Sequence, residues 1–275
     1  FRKLSKPLEA SVLTTAYIQL FFYFASILLA IFYVIKSIKQ TLKTDAEILT
    51  KFTTYIIRSS FWAVLIVGLA DLLISFMVVE KLVGPVLGET LRVKLVIPAF
   101  RITFVHFPLI LISFVIGYFT RSVGFIWLAV LVVASEFFIV VSRFIFEYEQ
   151  AFQGDLVRFW YSALYLFASA YALMHEGHVR VDVLYTGFSE RKKAWTNSMG
   201  SLFLGIPLCL IVLFLGMGGK ASIINGPVIS FEITQQGSNG LYLLYLMAVY
   251  LAVFAVSMLT QFTSYFMSSS YKLLK

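Results

Sequence analysis

Long apolar runs separated by short charged clusters dominate the chain. An α-helix needs roughly 20 apolar residues to cross about 30 Å of hydrocarbon. Seven runs approach that length, and they lie near residues 12–35, 59–79, 102–119, 123–146, 158–174, 194–217 and 240–266. The pattern predicts an all-α fold, a polytopic transmembrane helical bundle with about seven spanning segments.

The third run is the least regular of the seven. It is short, it has His106 and Pro108 near its start, and only residues 120–122 separate it from the fourth run. Irregular backbone at membrane depth is tolerated where protein surrounds it. A kinked hairpin or a re-entrant pair is therefore an alternative to a simple span at this point.

Composition agrees with a membrane protein and argues against a nucleic-acid partner. Hydrophobic residues make up 60% of the chain and charged residues 13%, and the mean hydropathy is +0.90, whereas soluble domains carry about 25% charged residues. The net charge of +8 comes from short clusters between apolar runs, which is typical of topogenic charge facing the lipid bilayer. The single cysteine, Cys209, excludes an intrachain disulfide.

The basic clusters predict an orientation. They occur at residues 36–51, at Arg121 and at residues 180–193, which are alternate loops and can share the cytoplasm. Lys272 and Lys275 place the C-terminus on the same side. Seven spans then leave the N-terminus outside, against the basic residues there, so either the first segment is not a simple span or residues upstream of the sequence contribute.

Two carboxylates lie in the middle of apolar runs, Asp71 in the second and Glu136 in the fourth. An ionisable group at bilayer depth is costly and must be paired, hydrated or neutralised. Each could belong to an ion pathway, or each could meet a polar or basic group on a neighbouring helix or a partner subunit. We favour a partner subunit, because neither residue has an obvious Lys or Arg partner in its own chain.

A polar cluster at residues 175–195 follows the fifth run. His175 and His178 could face one metal on a helix, but zinc needs a further protein ligand and His106 lies elsewhere in the chain. A haem would need histidines in the apolar middles of facing helices. We therefore predict no metal site and no cofactor.

The same cluster has the alternation of an interfacial segment and is expected to lie along the inner membrane surface. His178, Arg180 and Asp182 could then tie the fifth segment to the sixth through charge-assisted hydrogen bonds. The chain has no GxxxxGK[ST], GxGxxG, GxSxG or HExxH motif, so we do not expect it to be an enzyme.

One combination of features is more specific than these. Arg158, Phe159 and Trp160 begin a helix rich in small residues, the run Gly177-His178-Val179-Arg180-Val181-Asp182 follows it, and then come a basic turn and two long apolar runs. Over residues 123–268 this arrangement resembles the DctQ-like small membrane subunit of tripartite ATP-independent periplasmic (TRAP) transporters.

The resemblance implies a DctQ-like four-helix unit at residues 123–275, preceded by an extension of about three membrane segments at 1–122 that makes this a longer variant. It implies a non-catalytic scaffold for a large, sodium-coupled elevator subunit (DctM-like) that takes up small organic acids delivered by a periplasmic substrate-binding protein (DctP-like). Loops 147–157 and 218–239 are the expected docking surface for that protein. The expected subunit-interface or structural anchors are Asp71, Glu136, Arg158, Trp160, His178, Arg180 and Asp182.

Two other functions stay open at this point. A self-sufficient secondary carrier could use Asp71 and Glu136, although Pro207 is the one proline in the middle of a run that could interrupt a helix around a midplane site. A membrane redox subunit could use His106, His175 and His178. Transport by the chain alone would favour the first of these, and a haem absorbance band the second.

Overall fold

The computed structural model describes residues 10–120, 125–174, 185–234 and 239–275. Within these ranges the chain consists of helices and short connections and contains no strand. The helices, in chain order, are α1 (Ala10–Lys36), α2 (Leu42–Val79), α3 (Val83–Leu87), α4 (Glu89–Leu95), α5 (Pro98–Arg101), α6 (Phe107–Phe119), α7 (Phe125–Phe146), α8 (Ala151–Met174), α9 (Glu190–Gly200), α10 (Ile206–Met217), α11 (Asn225–Ser230) and α12 (Leu244–Leu274).

Six helical stretches of the described residues are long and apolar enough to cross a membrane: Ala16–Lys36, Leu42–Val79, Pro98–Phe119, Ile126–Phe146, Glu190–Met217 and Leu244–Leu274. The helix α8 has 24 residues, about 36 Å at ~1.5 Å per residue, but it carries more polar side chains. It lies inside the bundle against α2, α7 and α12. The prediction of an all-α, polytopic helical bundle is confirmed, with α8 bringing the number of candidate spans to about seven.

Two helical stretches each continue through a proline, because a π-helical turn precedes the proline in both. The π-helical turns Ile102–His106 and Ser201–Gly205 end two residues before Pro108 and Pro207. A proline ring collides with the carbonyl four residues earlier, and that carbonyl lies inside the π turn in both cases. The third apolar run is therefore part of a continuous helical stretch of 22 residues, Pro98–Phe119, which is long enough to span.

The two longest helices, α2 and α12, form an antiparallel pair at the centre of the fold. Thr53 and Thr260 join their side-chain hydroxyls at 2.7 Å, and Thr50 and Ser264 join theirs at 2.8 Å nearer the start of α2. The Ser75 hydroxyl donates to the Gly240 carbonyl at 3.2 Å near the other end. Hydroxyl pairs of this kind hold helices in register in lipid, where the apolar tails themselves provide no hydrophobic drive for helix association.

The main core lies where α8 packs against α2 and α12. Trp160 is buried, and its indole N–H donates to the Val64 carbonyl at 3.3 Å. The Phe159 ring lies 5.3 Å from that of Tyr250. This core contains residues from before and after position 122, so the two predicted parts of the chain pack together. The domain boundary at position 122 itself stays a prediction.

The helix α6 approaches α2 closely at a glycine. A Cβ atom added to Gly117 would lie 2.9 Å from the Ser59 Cα and 3.0 Å from the Ser59 nitrogen. Close by, the Trp62 indole donates to the Thr120 hydroxyl at 2.9 Å, and the Arg58 guanidinium donates to the Thr120 carbonyl. The end of α6 is thus held to α2 by both close backbone packing and side-chain hydrogen bonds.

The helix α1 differs from the rest because it lies outside the bundle. None of its apolar window is buried against the protein, and the Tyr33 hydroxyl donates to the Asp45 carboxylate at the start of α2 at 3.2 Å. Its apolar side chains, Phe21, Leu28 and Phe32 among them, are exposed. In the membrane these side chains face lipid or another protein.

We predict that Gly117→Ala lowers stability, because the added methyl would meet backbone atoms of Ser59, which cannot move aside as a flexible side chain can. Overpacking of this kind costs about 1–3 kcal/mol. Thermal unfolding of the purified protein in detergent measures the effect. Gly154→Ala is the matched control, since nothing lies within 4 Å of a Cβ placed there. Equal melting temperatures for the two variants would contradict the close α2–α6 contact.

Candidate functional site: a buried ion network and an exposed carboxylate

Asp71 lies in α2 with its carboxylate fully buried, and three donors surround it. One carboxylate oxygen is 2.6 Å from a guanidinium nitrogen of Arg101 and 2.8 Å from Nε2 of His106. The other oxygen accepts the backbone N–H of Tyr242 at 2.7 Å. Arg101 and His106 are equally buried. Three separate segments of the chain therefore meet at this carboxylate.

Arg101 is the cation of this network. Its Nη2 also donates to the Asp71 backbone carbonyl at 2.7 Å and to the Ser75 hydroxyl at 2.8 Å. The guanidinium lies 4.4 Å from the centre of the Tyr242 ring, a cation–π contact. Because an arginine is always charged in proteins, these contacts are what make its burial tolerable.

His106 closes the network toward α12. Its Nδ1 lies 3.1 Å from the Tyr245 hydroxyl, and the two rings are stacked at an interplanar angle of 11°. Since one ring nitrogen faces a carboxylate and the other a hydroxyl, both are engaged by the protein. His106 is thereby held by α2 and α12 together, in a place that leaves no ring nitrogen for a metal.

The local backbone explains how Arg101 and His106 reach the same carboxylate. Residues five apart point in different directions on a regular α-helix, which repeats every 3.6 residues. The π turn between them closes hydrogen bonds five residues apart, as shown by the Phe107 N–H bonding to the Ile102 carbonyl. That wider turn places Arg101 and His106 on one face of the helix, toward α2.

A second carboxylate, that of Asp155, binds the backbone amide of Leu241, the residue before Tyr242. Asp155, at the start of α8, accepts the Leu241 backbone N–H at 3.1 Å. The two successive amides that lead into α12 are thus each bound by an acid, one from α8 and one from α2. A Cβ on the preceding Gly240 would lie 2.4 Å from the Asp155 carboxylate, so glycine is needed for this approach. We call Asp71, Asp155 and the amides of Leu241 and Tyr242 the carboxylate clamp.

The expected anchors fall in different environments. Asp71 meets a basic residue of its own chain, contrary to our expectation of a partner subunit. Trp160 is a buried packing residue between α8 and α2, whereas Arg158 is exposed on α8, 3.8 Å from Asp155. His178, Arg180 and Asp182, together with the candidate metal ligand His175, lie outside the described residues.

Glu136 occupies the opposite kind of position. It lies in the middle of α7, 11 residues after Phe125 and 10 before Phe146, and it is exposed on the outer surface of the bundle. It forms no ion pair or hydrogen bond with the described part of the chain. Its neighbours on the same helical face, Val133 and Val140, are exposed as well. Asp71 and Glu136 therefore do not share a site.

Sequence reasoning missed Arg101 and Asp155. The apolar pattern starts the third run at residue 102 and so leaves Arg101 outside the membrane, whereas the helix begins at Pro98. The same pattern predicts that Asp155 lies in an outward loop, whereas it lies in the first turns of α8. A proline at the start of a helix is a known signal, and applied to Pro98 it could have brought Arg101 inside.

The comparison with protein families decides the identity of the second half. A family model for the DctQ component of tripartite ATP-independent periplasmic transporters matches residues 132–266. The chain contains a DctQ domain. A search of curated proteins found no match, and neither did a search of solved structures.

The DctQ domain begins in α7 and ends in α12, so it includes Glu136, Trp160, Asp155 and Tyr242. The preceding extension supplies Asp71, Arg101 and His106, the three side chains of the ion network. The match indicates a small membrane subunit of a TRAP transporter, a multi-pass inner-membrane protein associated with other TRAP components. The ion network therefore joins the extension to the DctQ domain.

We predict strong energetic coupling between Asp71 and Arg101. Removing one partner of a buried ion pair costs about 3–5 kcal/mol, because the other charge is left unpaired. Asp71→Asn combined with Arg101→Met should therefore cost about 2 kcal/mol less than the sum of the two single variants, near the upper end of measured couplings. The free energy of unfolding in mixed micelles is the measurement.

The exposed pair Arg143 and Glu149, 3.4 Å apart, provides the matched control for this cycle. A solvent-exposed ion pair contributes at most about 1 kcal/mol, so Arg143→Met and Glu149→Gln should be nearly additive. Additive effects at Asp71 and Arg101 would show that the buried pair is not the anchor described above.

Proposed function

We propose that this chain is the non-catalytic scaffold subunit of a TRAP transporter. It packs beside a large, sodium-coupled subunit that moves as an elevator and takes up small organic acids delivered by a periplasmic binding protein. The observation that carries the proposal is the DctQ domain at residues 132–266. The large subunit, in this proposal, holds the substrate and sodium sites.

The ion network supports a scaffold over a carrier. Both oxygens of the Asp71 carboxylate are engaged by fixed donors, so a transported cation would have to displace the Arg101 guanidinium. A pathway residue must instead be free to bind and release its ion. A closed, buried ion pair suits a subunit that holds still while a neighbouring subunit slides past it.

Glu136 supports a partner in the membrane. A carboxylate in the middle of an apolar helix is costly when it faces lipid, and the described part of this chain offers it no partner. A basic or hydroxyl group on the large subunit would remove that cost. We therefore propose that the face of α7 with Val133, Glu136 and Val140 contacts the large subunit.

The proposed orientation places the carboxylate clamp toward the periplasm. The basic clusters of alternate loops and the C-terminal Lys272 and Lys275 then lie in the cytoplasm. The turn between α7 and α8 faces outward in this orientation, with Glu147 and Glu149 exposed. Tyr148 lies between them in the chain, and its hydroxyl donates to the Glu80 carboxylate at 2.7 Å. Burial, and to a lesser extent this hydrogen bond, raises the pKa of Tyr148 to about 12.

We expect Glu136→Gln to reduce co-purification with the large subunit several-fold, because the charge-assisted contact in the membrane is lost. The melting temperature of the isolated chain should not fall, since Glu136 has no described partner in its own chain. Glu136→Asp, which keeps the charge, is the control and should retain more of the complex. Full recovery of the complex with Glu136→Gln would remove α7 from the interface, and solute uptake by this chain alone in liposomes would instead favour a self-sufficient carrier.

We expect the double charge reversal Glu147→Lys and Glu149→Lys to slow uptake at limiting concentrations of binding protein. Exposed charges at an interface mainly affect the rate of association, by about 10-fold or more at low salt. The loss should shrink as ionic strength rises. Glu190→Lys, at the other end of the bundle, is the control. Unaltered uptake with the double variant would exclude this turn from the docking surface.

A further inference from the structure

A cavity of about 440 Å³ opens between α2 and α12, at the end of the bundle opposite the carboxylate clamp. Lys43, Thr50 and Lys51 line it from α2, and Gln261 and Ser264 from α12. A second cavity of about 880 Å³ shares Lys43 with the first and continues along the end of α12. The ion network and the surfaces assigned above use none of these side chains.

Gln261, one of the residues that line this cavity, has an unsatisfied polar group. The residue is 5% exposed, and its side-chain carbonyl oxygen is buried with no hydrogen-bond partner among the described residues. Buried polar groups in native proteins are nearly always hydrogen-bonded, and each exception calls for an explanation. An amide oxygen accepts hydrogen bonds, so the missing group is a donor such as a hydroxyl.

The charges around the cavity favour an anion. Lys43 and Lys51 are exposed at its rim, and the adjoining cavity adds Arg191, Lys272 and Lys275. Two carboxylates also face this region, Glu47 and Glu190. Glu190 is already paired, because its carboxylate is 3.3 Å from the ammonium of Lys193. The five basic residues of the two cavities therefore outnumber the carboxylates, and we expect the region to carry a net positive charge.

We expect the cavity to lie at the depth of the headgroup layer of a membrane. Beyond the Thr53–Thr260 hydrogen bond, α2 and α12 change from apolar to polar, and the cavity begins at that change. Ile48 and Phe52 lie outside the cavity, on another face of the same part of α2, and are exposed apolar side chains. Polar and basic groups beside exposed apolar ones fit a ligand that has an anionic head and an apolar tail.

We propose that this cavity binds the headgroup of an anionic glycerophospholipid that carries a hydroxyl, such as phosphatidylglycerol. Lys43 and Lys51 pair with the phosphate, and a headgroup hydroxyl donates to the Gln261 amide oxygen once that side chain turns toward the cavity. The acyl chains run past Phe52 toward the middle of the membrane. The lipid thereby bridges the ends of α2, which belongs to the extension, and α12, which belongs largely to the DctQ domain.

Native mass spectrometry of the detergent-purified chain, titrated with phosphatidylglycerol, tests the site. We expect saturable binding of phosphatidylglycerol at least 10-fold tighter than binding of phosphatidylcholine, and weakened about 10-fold or more by Lys43→Gln with Lys51→Gln. The double variant Lys81→Gln and Lys94→Gln, at the opposite end of the bundle, should bind as the unaltered chain does. Equal affinity for the two lipids, or no effect of the Lys43 and Lys51 changes, would overturn the proposal.

Gln261→Leu separates a ligand-binding role from a structural one. We expect the lipid-free variant to melt at the same temperature as the unaltered chain or higher, because an unpaired buried oxygen is removed, while affinity for phosphatidylglycerol falls several-fold. A lower melting temperature with unchanged lipid affinity would show that Gln261 only supports packing. Binding of soluble glycerol 3-phosphate as tight as that of the lipid would assign the cavity to a free phosphate ester and overturn the assignment to lipid.

Discussion

The charge of Arg101 imposes the strictest requirement on this structure. A guanidinium does not lose its proton in proteins, and in a membrane-embedded bundle it must therefore be balanced by an anion and by hydrogen-bond acceptors. Asp71 provides the anion at 2.6 Å, and Ser75 and the Tyr242 ring also contact the guanidinium. Because α2, the α5–α6 stretch and the entry to α12 each contribute, these elements have to assemble together.

That requirement explains why the extension and the DctQ domain form one packed unit. Tyr242 lies within the matched family region, yet its amide is bound by a carboxylate from α2. Asp155 binds the neighbouring amide of Leu241 from within the domain. The start of α12 is therefore fixed from both sides, and separate hydroxyl contacts between α2 and α12 hold the antiparallel pair further along.

The two mid-run carboxylates show where sequence reasoning works and where it stops. Both Asp71 and Glu136 were recognised as costly groups, because cost depends only on local hydrophobicity. Their partners depend on which helices become neighbours. Asp71 is paired because a π turn rotates Arg101 and His106 onto one face, whereas Glu136 points away from the bundle. Neither the π turn nor the direction in which Glu136 points could be derived from the apolar pattern.

The sequence by itself determined the helical class, the approximate positions of about seven spans and the resemblance to DctQ subunits, because apolar length and short motifs are local properties. Only the tertiary structure decided that Arg101 belongs inside the bundle, that two acids hold successive amides before α12, and that Gln261 lacks a partner at one end of the α2–α12 pair. Those facts arise from contacts between residues as many as 171 positions apart, and pairing at that separation is set by packing rather than by neighbours in the chain.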